Sequence, residues 1–325
     1  MEILPKYDVA IVGGGLAGLA ASIRLRQSGC KVILFEKETY PFHKVCGEYI
    51  SFESRDFLCS LGLPLDEWNL PRITTLQLTA PNGQSFTTKL PLGGFGISRY
   101  KLDGELAAIA KRIGVHVLEN TKVDDVWQAE DFTVSFRQQS VQAKLCFAAF
   151  GKRSNLDIKW QRSFIQSHDK RLNNFVGVKY HVKTAWPEHV IGLHNFENGY
   201  CGISKIEDDR HCLCYLTRAG NLKQNSNSIP AMEEKVLFRN PYLKKIITDC
   251  EVLQAFPVTI SQISFTQKSK VEKGVLMLGD TAGMITPLCG NGMSIALHTA
   301  KIAATLAKTF LQGEISQTEL EQQYL

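Results

Sequence analysis

The 325-residue sequence predicts an α/β fold: both chain ends build one parallel-sheet domain, and β-rich insertions form a second, mainly antiparallel domain. Three observations carry this. An apolar stretch beginning at Val9 runs into Gly13-x-Gly15-x-x-Gly18 and a helical pattern of Leu16, Leu19, Ala20 and Ile23. Near the other end, Gly274-Val-Leu-Met-Leu-Gly-Asp280 reads as a buried strand followed by a loop and a long amphipathic helix reaching about Leu311. Between them lie many short segments that alternate with period two and few that are helical.

In the first stretch each glycine has a physical task. Gly13 allows the tight turn, Gly15 lets a pyrophosphate approach the backbone, and Gly18 lets the helix lie close to the strand. The helix N-terminus at Leu16 and Ala17 offers free N–H groups and a partial positive charge to phosphates. Ser28-Gly29 ends the helix, and Lys31-Val-Ile-Leu-Phe35 is the second strand. It finishes on Glu36, beside Lys37, where a carboxylate accepts hydrogen bonds from ribose hydroxyls. Strand, glycines, helix, strand and acid in that order specify a dinucleotide containing adenosine, hence a Rossmann-like FAD/NAD(P)-binding domain. The motif does not choose between NAD and FAD.

Further along, Tyr40 to Ser51 is loop-like, Phe52 to Leu61 helical, and Ile73–Thr79 with Ser85–Leu90 a hairpin around Pro81-Asn-Gly83. A helix follows from Asp103 to Arg112, then a third parallel strand at Val115–Leu118. Val123–Trp127, Phe132–Phe136 and Val141–Phe147 form a meander. Strands recur at Phe175–Val182, Val190–Asn195, Tyr200–Ile206, Cys212–Leu216 and Phe256–Ile263, with helical pieces at Met232–Phe238 and Leu243–Cys250 broken at Pro241. Ser316-x-x-Glu319 is a capping box opening a last helix. The expected division is residues 1–72, 97–170 and 268–325 for the nucleotide domain, and 73–96 with 171–267 for a β-rich substrate domain.

Gly279-Asp280 gains meaning from Pro287-x-x-Gly290-x-Gly292, which opens the long helix. With Asp280 on a ribityl hydroxyl, the helix N-terminus around Gly290, Asn291, Gly292 and Met293 would face a flavin carbonyl. A positive helix end there favours a reduced, anionic flavin. An NAD dehydrogenase has no need of this second site, so the pair of motifs selects FAD.

Composition excludes other classes. Hydrophobic content of 44% and charged content of 21% are ordinary for a globular chain, and the net charge of +5 is scattered. That charge is compatible with an anionic substrate or peripheral lipid contact, and no nucleic-acid face is present. Nine cysteines, no CxxC pair and no leader segment imply reduced thiols in a cytoplasmic protein without a metal site. No stretch approaches the ~18 apolar residues of a membrane span.

The N-terminal fingerprint with Glu36, Ile97-Ser-Arg99-x-x-x-Asp103, and Gly-Asp-x-Ala-Gly-x-x-x-Pro-x-x-Gly-x-Gly together resemble group A flavoprotein monooxygenases. Within that superfamily, Lys44-Val-Cys46-Gly47 looks most like the geranylgeranyl reductase branch. The resemblance covers nearly the whole chain and implies a noncovalent FAD and a substrate cleft against the β-rich wall. It also implies FAD contacts from Lys44, Cys46, Gly47, Arg99 and the Val123 backbone. Phe150-Gly-Lys-Arg-Ser154 stands where group A hydroxylases carry Gly-x-Asp-Gly, so direct reduction by NAD(P)H is expected to be slow and another electron donor to serve. The four tryptophans are isolated, which argues against halogenation by a Trp-x-Trp route.

The leading expectation is an FAD-dependent reductase of carbon–carbon double bonds in an apolar isoprenoid or polyene-like substrate. In it Cys46 supplies the proton that complements a flavin hydride. An aromatic hydroxylase on the same flavin is the second reading, and a non-enzymatic prenyl-binding escort the third. Tyr49, Tyr200 and His43 are secondary candidates, with packing for the tyrosines and exposure for the histidine as the plainer expectations.

Overall fold

The computed structural model describes residues 5–166, 173–286, 288 and 290–325. The first sheet runs Val271–Glu272, Val275–Met277, Gln139–Ala148, Lys6–Val12, Val32–Phe35, His116–Leu118. Its neighbours are parallel except at the short Val271–Glu272 edge. The chain turns back at Lys6–Val12, whose two neighbours come from opposite directions of travel, and a ligand crevice opens at such a switch point.

The continuous apolar character of Val9–Val12 follows from burial on both faces. Val9 and Ile11 pack on one side with the helices Leu16–Gln27, Arg99–Arg112 and Gly292–Leu311. Ala10 and Val12 pack on the other, against Val126, Phe132 and Val134 of the meander. That meander, Asp125–Gln128 to Phe132–Phe136, feeds Gln139–Ala148 antiparallel and so returns the chain to the parallel sheet. The capping box forms as the spacing predicts: Ser316 accepts from the Glu319 N–H and opens Gln317–Tyr324.

The second sheet runs Glu251–Val252, Asn173–Lys183, His211–Arg218, Gly199–Lys205, Val190–Phe196, Arg72–Thr79, Ser85–Gly96, Tyr49–Ser51, with Val258–Ser264 also on Asn173–Lys183. It is antiparallel apart from the Val190–Phe196 and Arg72–Thr79 pair. Helices at Ile229–Lys235 and Pro241–Asp249 cover one face over Val178, Leu213 and Tyr215.

Three differences from the sequence reading bear on the site. Tyr49–Ser51, read as loop within 1–72, is the edge strand of the second sheet. Ser85–Gly96 runs well past Leu90, because a register shift between Ile73 and Thr75 lets the pairing continue. Val123 precedes its strand, which begins at Asp125, and is buried beside the sheet. The Pro287 position of the second motif lies outside the described residues.

Candidate functional site

The glycine turn is built as its spacing requires. Gly13 has φ +106°, and a Cβ there would stand 2.4 Å from the Ala149 carbonyl oxygen, so only glycine lets the two strand ends meet. A Cβ on Gly18 would stand 2.0 Å from the Gly13 oxygen, which is the close helix–strand contact expected of it. Gly15 precedes the helix Leu16–Gln27, which has no side-chain cap and no acid in its first turn. Its N–H groups are therefore left for an anion. Leu16 and Ala17 are buried behind the turn.

Glu36 is buried and accepts from the Gly14 N–H at 2.9 Å and the Glu38 N–H at 3.0 Å. Each oxygen keeps a lone pair for a ribose hydroxyl. Lys37 is turned to the surface beside Glu38, at 3.8 Å. Tyr40, a residue the sequence reading did not single out, lies on the turn and donates its hydroxyl to the Gly14 carbonyl.

The second motif meets the first. A Cβ on Gly279 would lie 3.4 Å from Ala17 Cβ, and the Gly279 N–H donates to Thr299 Oγ1 at 3.0 Å. Asp280 follows in a single turn of 3-10 helix, its carboxylate without a hydrogen bond among the described residues. Asn291 caps the Gly292–Leu311 helix by position only; that N-terminus again lacks a side-chain cap and an acid. Among the described residues nothing stands within 4 Å of a Cβ on Gly292, Met293 is buried, and Gly290 takes φ +69° against Tyr49. Two uncapped helix N-termini joined through Ala17 and Gly279, with Glu36 and Asp280 in reserve, fit a nucleotide at one end and a flavin at the other.

Lys268 ties the adjoining loops. Its ammonium donates to the carbonyls of Lys152 at 2.7 Å and Asp280 at 3.2 Å, and burial pulls its pKa down to about 8. Thr281 Oγ1 donates to the Gly151 carbonyl and accepts its N–H, completing the join.

The segment from His43 to Glu48 lies between the two sheets. Val45 abuts Gly177, where a Cβ would be 2.9 Å from Val45 Cγ1. The Cys46 carbonyl accepts from Cys212 Sγ at 3.2 Å, and the Gly47 carbonyl from Ser204 Oγ at 3.4 Å. The partly buried Cys46 thiol lies close enough to the Arg99 guanidinium to act on its charge. Arg99 is itself gripped by the fully buried Asp103, Nε to Oδ1 at 2.8 Å and Nη2 to Oδ2 at 2.7 Å, with Lys44 Nζ on the same carboxylate at 3.3 Å. Burial opposes the Arg99 charge, yet Asp103 and Cys46 push its pKa up. Lys44 also stands 3.6 Å from where a Gly15 Cβ would be, linking this cluster to the glycine turn.

Sequence reasoning missed the ion cluster behind Cys46. Glu48 is fully buried and accepts from Lys179 Nζ at 2.6 Å, His181 Nε2 at 2.6 Å and the Arg99 N–H at 2.9 Å. Burial resists its charge, but His181 and Lys179 bring its pKa down to about 2. The available signal was Lys179 and His181 alternating with Val178, Tyr180 and Val182, which puts both nitrogen-bearing side chains on one strand face. His43, expected to be exposed, is instead packed: it stacks on Tyr100 at 4.7 Å and meets His181 edge-on at 5.2 Å. Its burial, then Lys179 and His181, lower its pKa, and its Nδ1 is buried without a hydrogen-bond partner among the described residues. Tyr49 packs on Gly94 and Gly290, and Tyr200 lies four residues from Ser204, about 13 Å along its strand.

Among the described residues no helix is long and apolar enough to cross a membrane. The model of the FAD binding domain family matches residues 6–324. A conditioned medium factor receptor 1 of Dictyostelium discoideum is 25% identical over 347 residues, 97% of this chain and 66% of the relative; the chain thus spans just under two thirds of that protein. A digeranylgeranylglycerophospholipid reductase 2 of Methanopyrus kandleri is 25% identical over 98% of this chain and 81% of its own length. Among solved structures, a myxobacterial chondrochloren halogenase superposes with TM-score 0.82 at 19% identity, covering 98% of this chain and 78% of that one. A geranylgeranyl bacteriochlorophyll reductase-like protein of Thermoplasma acidophilum gives 0.79 at 19% identity, covering 98% and 82%. The two nucleotide-binding motifs, their uncapped helix ends and the family match over nearly the whole chain converge: this chain belongs to the FAD binding domain family, and it is an FAD-dependent oxidoreductase.

Proposed function

We propose that the protein reduces carbon–carbon double bonds of an apolar, isoprenoid or polyene-like substrate. The observation that carries this reading is the place of Cys46: a partly buried thiol in the seam between the FAD sheet and the antiparallel wall, its carbonyl held by Cys212 and the Arg99 charge nearby. The relatives named digeranylgeranylglycerophospholipid reductase support the same substrate class.

Glu36, Asp280 and the two helix N-termini would hold the FAD, which when reduced supplies a hydride to one alkene carbon. The chain's task is the proton for the other carbon. Cys46 carries that proton on sulfur and gives it up as the carbon–hydrogen bond forms, and Arg99 faces the sulfur left negative. Cys212 and the apolar Val45 side of the seam keep water from competing. The reductant that recharges the flavin enters from outside, as a small electron carrier or a slow pyridine nucleotide.

The test is anaerobic. Protein reduced with dithionite is mixed with a geranylgeranyl lipid, and flavin reoxidation is followed alongside mass spectrometry of the lipid. Reoxidation matched by a gain of two hydrogens per double bond is expected. Unchanged lipid, with phenol-dependent oxygen uptake once air is admitted to the reduced protein, would replace this reading by the hydroxylase; protein that purifies without flavin would replace it by the escort.

A further inference from the structure

We infer that Glu48 is the positioning residue for Cys46: an ionic clamp that holds the thiol segment between the two sheets. Glu48 has φ +55°, the left-handed region that a side-chain-bearing residue enters only when its surroundings compel it. Here the compulsion is visible. Its carboxylate takes Lys179 and His181 from the second sheet and the Arg99 N–H from the start of the Arg99–Arg112 helix on the first. The same Arg99 places its guanidinium charge near Cys46, and it is fixed at its backbone by Glu48 and at its side chain by Asp103.

On the other flank the Cys46 carbonyl is tied to Cys212, on the strand paired with the one carrying Lys179 and His181. The Cys46–Glu48 segment is thus held on one side by Cys212, Ser204, Lys179 and His181, and on the other by the Arg99 N–H. Glu48 is not among the residues assigned to FAD, and Glu36, Asp280 and the two helix ends that would hold it lie on other segments. A buried, hydrogen-bonded ion cluster adds little net stability over apolar packing, but it specifies one geometry, because a shifted carboxylate would strand Lys179 without a partner. It fixes where the sulfur sits relative to a bound substrate, and it deepens the reductase reading only through Cys46.

The test compares FAD-loaded wild type with Glu48→Gln and with Glu48→Gly/Lys179→Met; the double variant strands no charge and suits the positive φ. Iodoacetamide alkylation of Cys46 is read by peptide mass spectrometry, with reduction of a geranylgeranyl lipid in parallel. Both variants should stay yellow and folded, and release of the segment should speed alkylation by about fivefold or more. Turnover should fall about tenfold or more with KM held within about threefold, the signature of a misplaced group. Alkylation within about twofold of wild type in a folded variant would overturn the clamp. If the wild type leaves the lipid unreduced while alkylation still rises in the variants, the clamp stands and the reductase reading falls.

Discussion

The two halves of the site are made of different material. The FAD cradle is backbone: Gly13, Gly15 and Gly18 at a turn, and two helix N-termini whose N–H groups no side chain has claimed. The seam at Cys46 is side chain, with a thiol, Arg99, Asp103 and Glu48 locked to Lys179 and His181. The cradle demands the absence of atoms and tolerates almost any neighbour that stays out of the way. The seam demands charges placed to a few tenths of an ångström, and each depends on its partner. A cofactor common to many reactions suits the first kind of site, and a single chemistry suits the second.

The contrast predicts that damage to the seam costs turnover and leaves the flavin in place. Cys46→Ala should purify yellow and stable and lose about a hundredfold or more in alkene reduction, the usual cost of removing a general acid. Near-normal turnover, measured by product mass spectrometry, would show the thiol to be structural. Damage to the cradle should do the reverse. Glu36→Ala or Asp280→Ala should weaken FAD by about one to two decades, since a hydrogen bond to a charged acceptor is worth about 1.5–3 kcal/mol. Flavin titration monitored by fluorescence checks this, and unchanged affinity in both variants would break the assignment of these acids.

The smallest effect is on stability and is confined to acid. Glu48 has its pKa drawn down to about 2, below that of a free glutamate, so the unfolded chain binds its proton first as pH falls. Its contribution is therefore complete above about pH 4.5, and is lost progressively as pH falls from there toward 2. Melting temperature from pH 6 to pH 3 should fall more steeply for wild type than for Glu48→Gln. Parallel curves would show that the cluster carries no folding linkage.

Much of the cradle was legible beforehand because its signals are local. A strand, a spaced set of glycines, a helix and an acid occupy adjacent stretches, and each residue type answers a backbone need that no distant partner can change. The third parallel strand, the meander and the capping box were legible for the same reason. Tyr49–Ser51 was not: three residues have no periodicity of their own, and they become a strand only because Ser85–Gly96 offers an edge to pair with.

The sequence by itself determined the α/β order, the two nucleotide-binding motifs, the FAD they select and Cys46 as the residue to watch. The tertiary structure alone decided what surrounds that thiol. Glu48 meets Lys179 and His181 across 131 and 133 residues, and Arg99 reaches both Glu48 and Cys46 from a third segment. Glycine conformations are dictated within a turn, where chain connectivity holds the partners together. A buried charge must find its counter-charge wherever the sheets bring it, and that distance along the chain leaves no mark in the residues on either side.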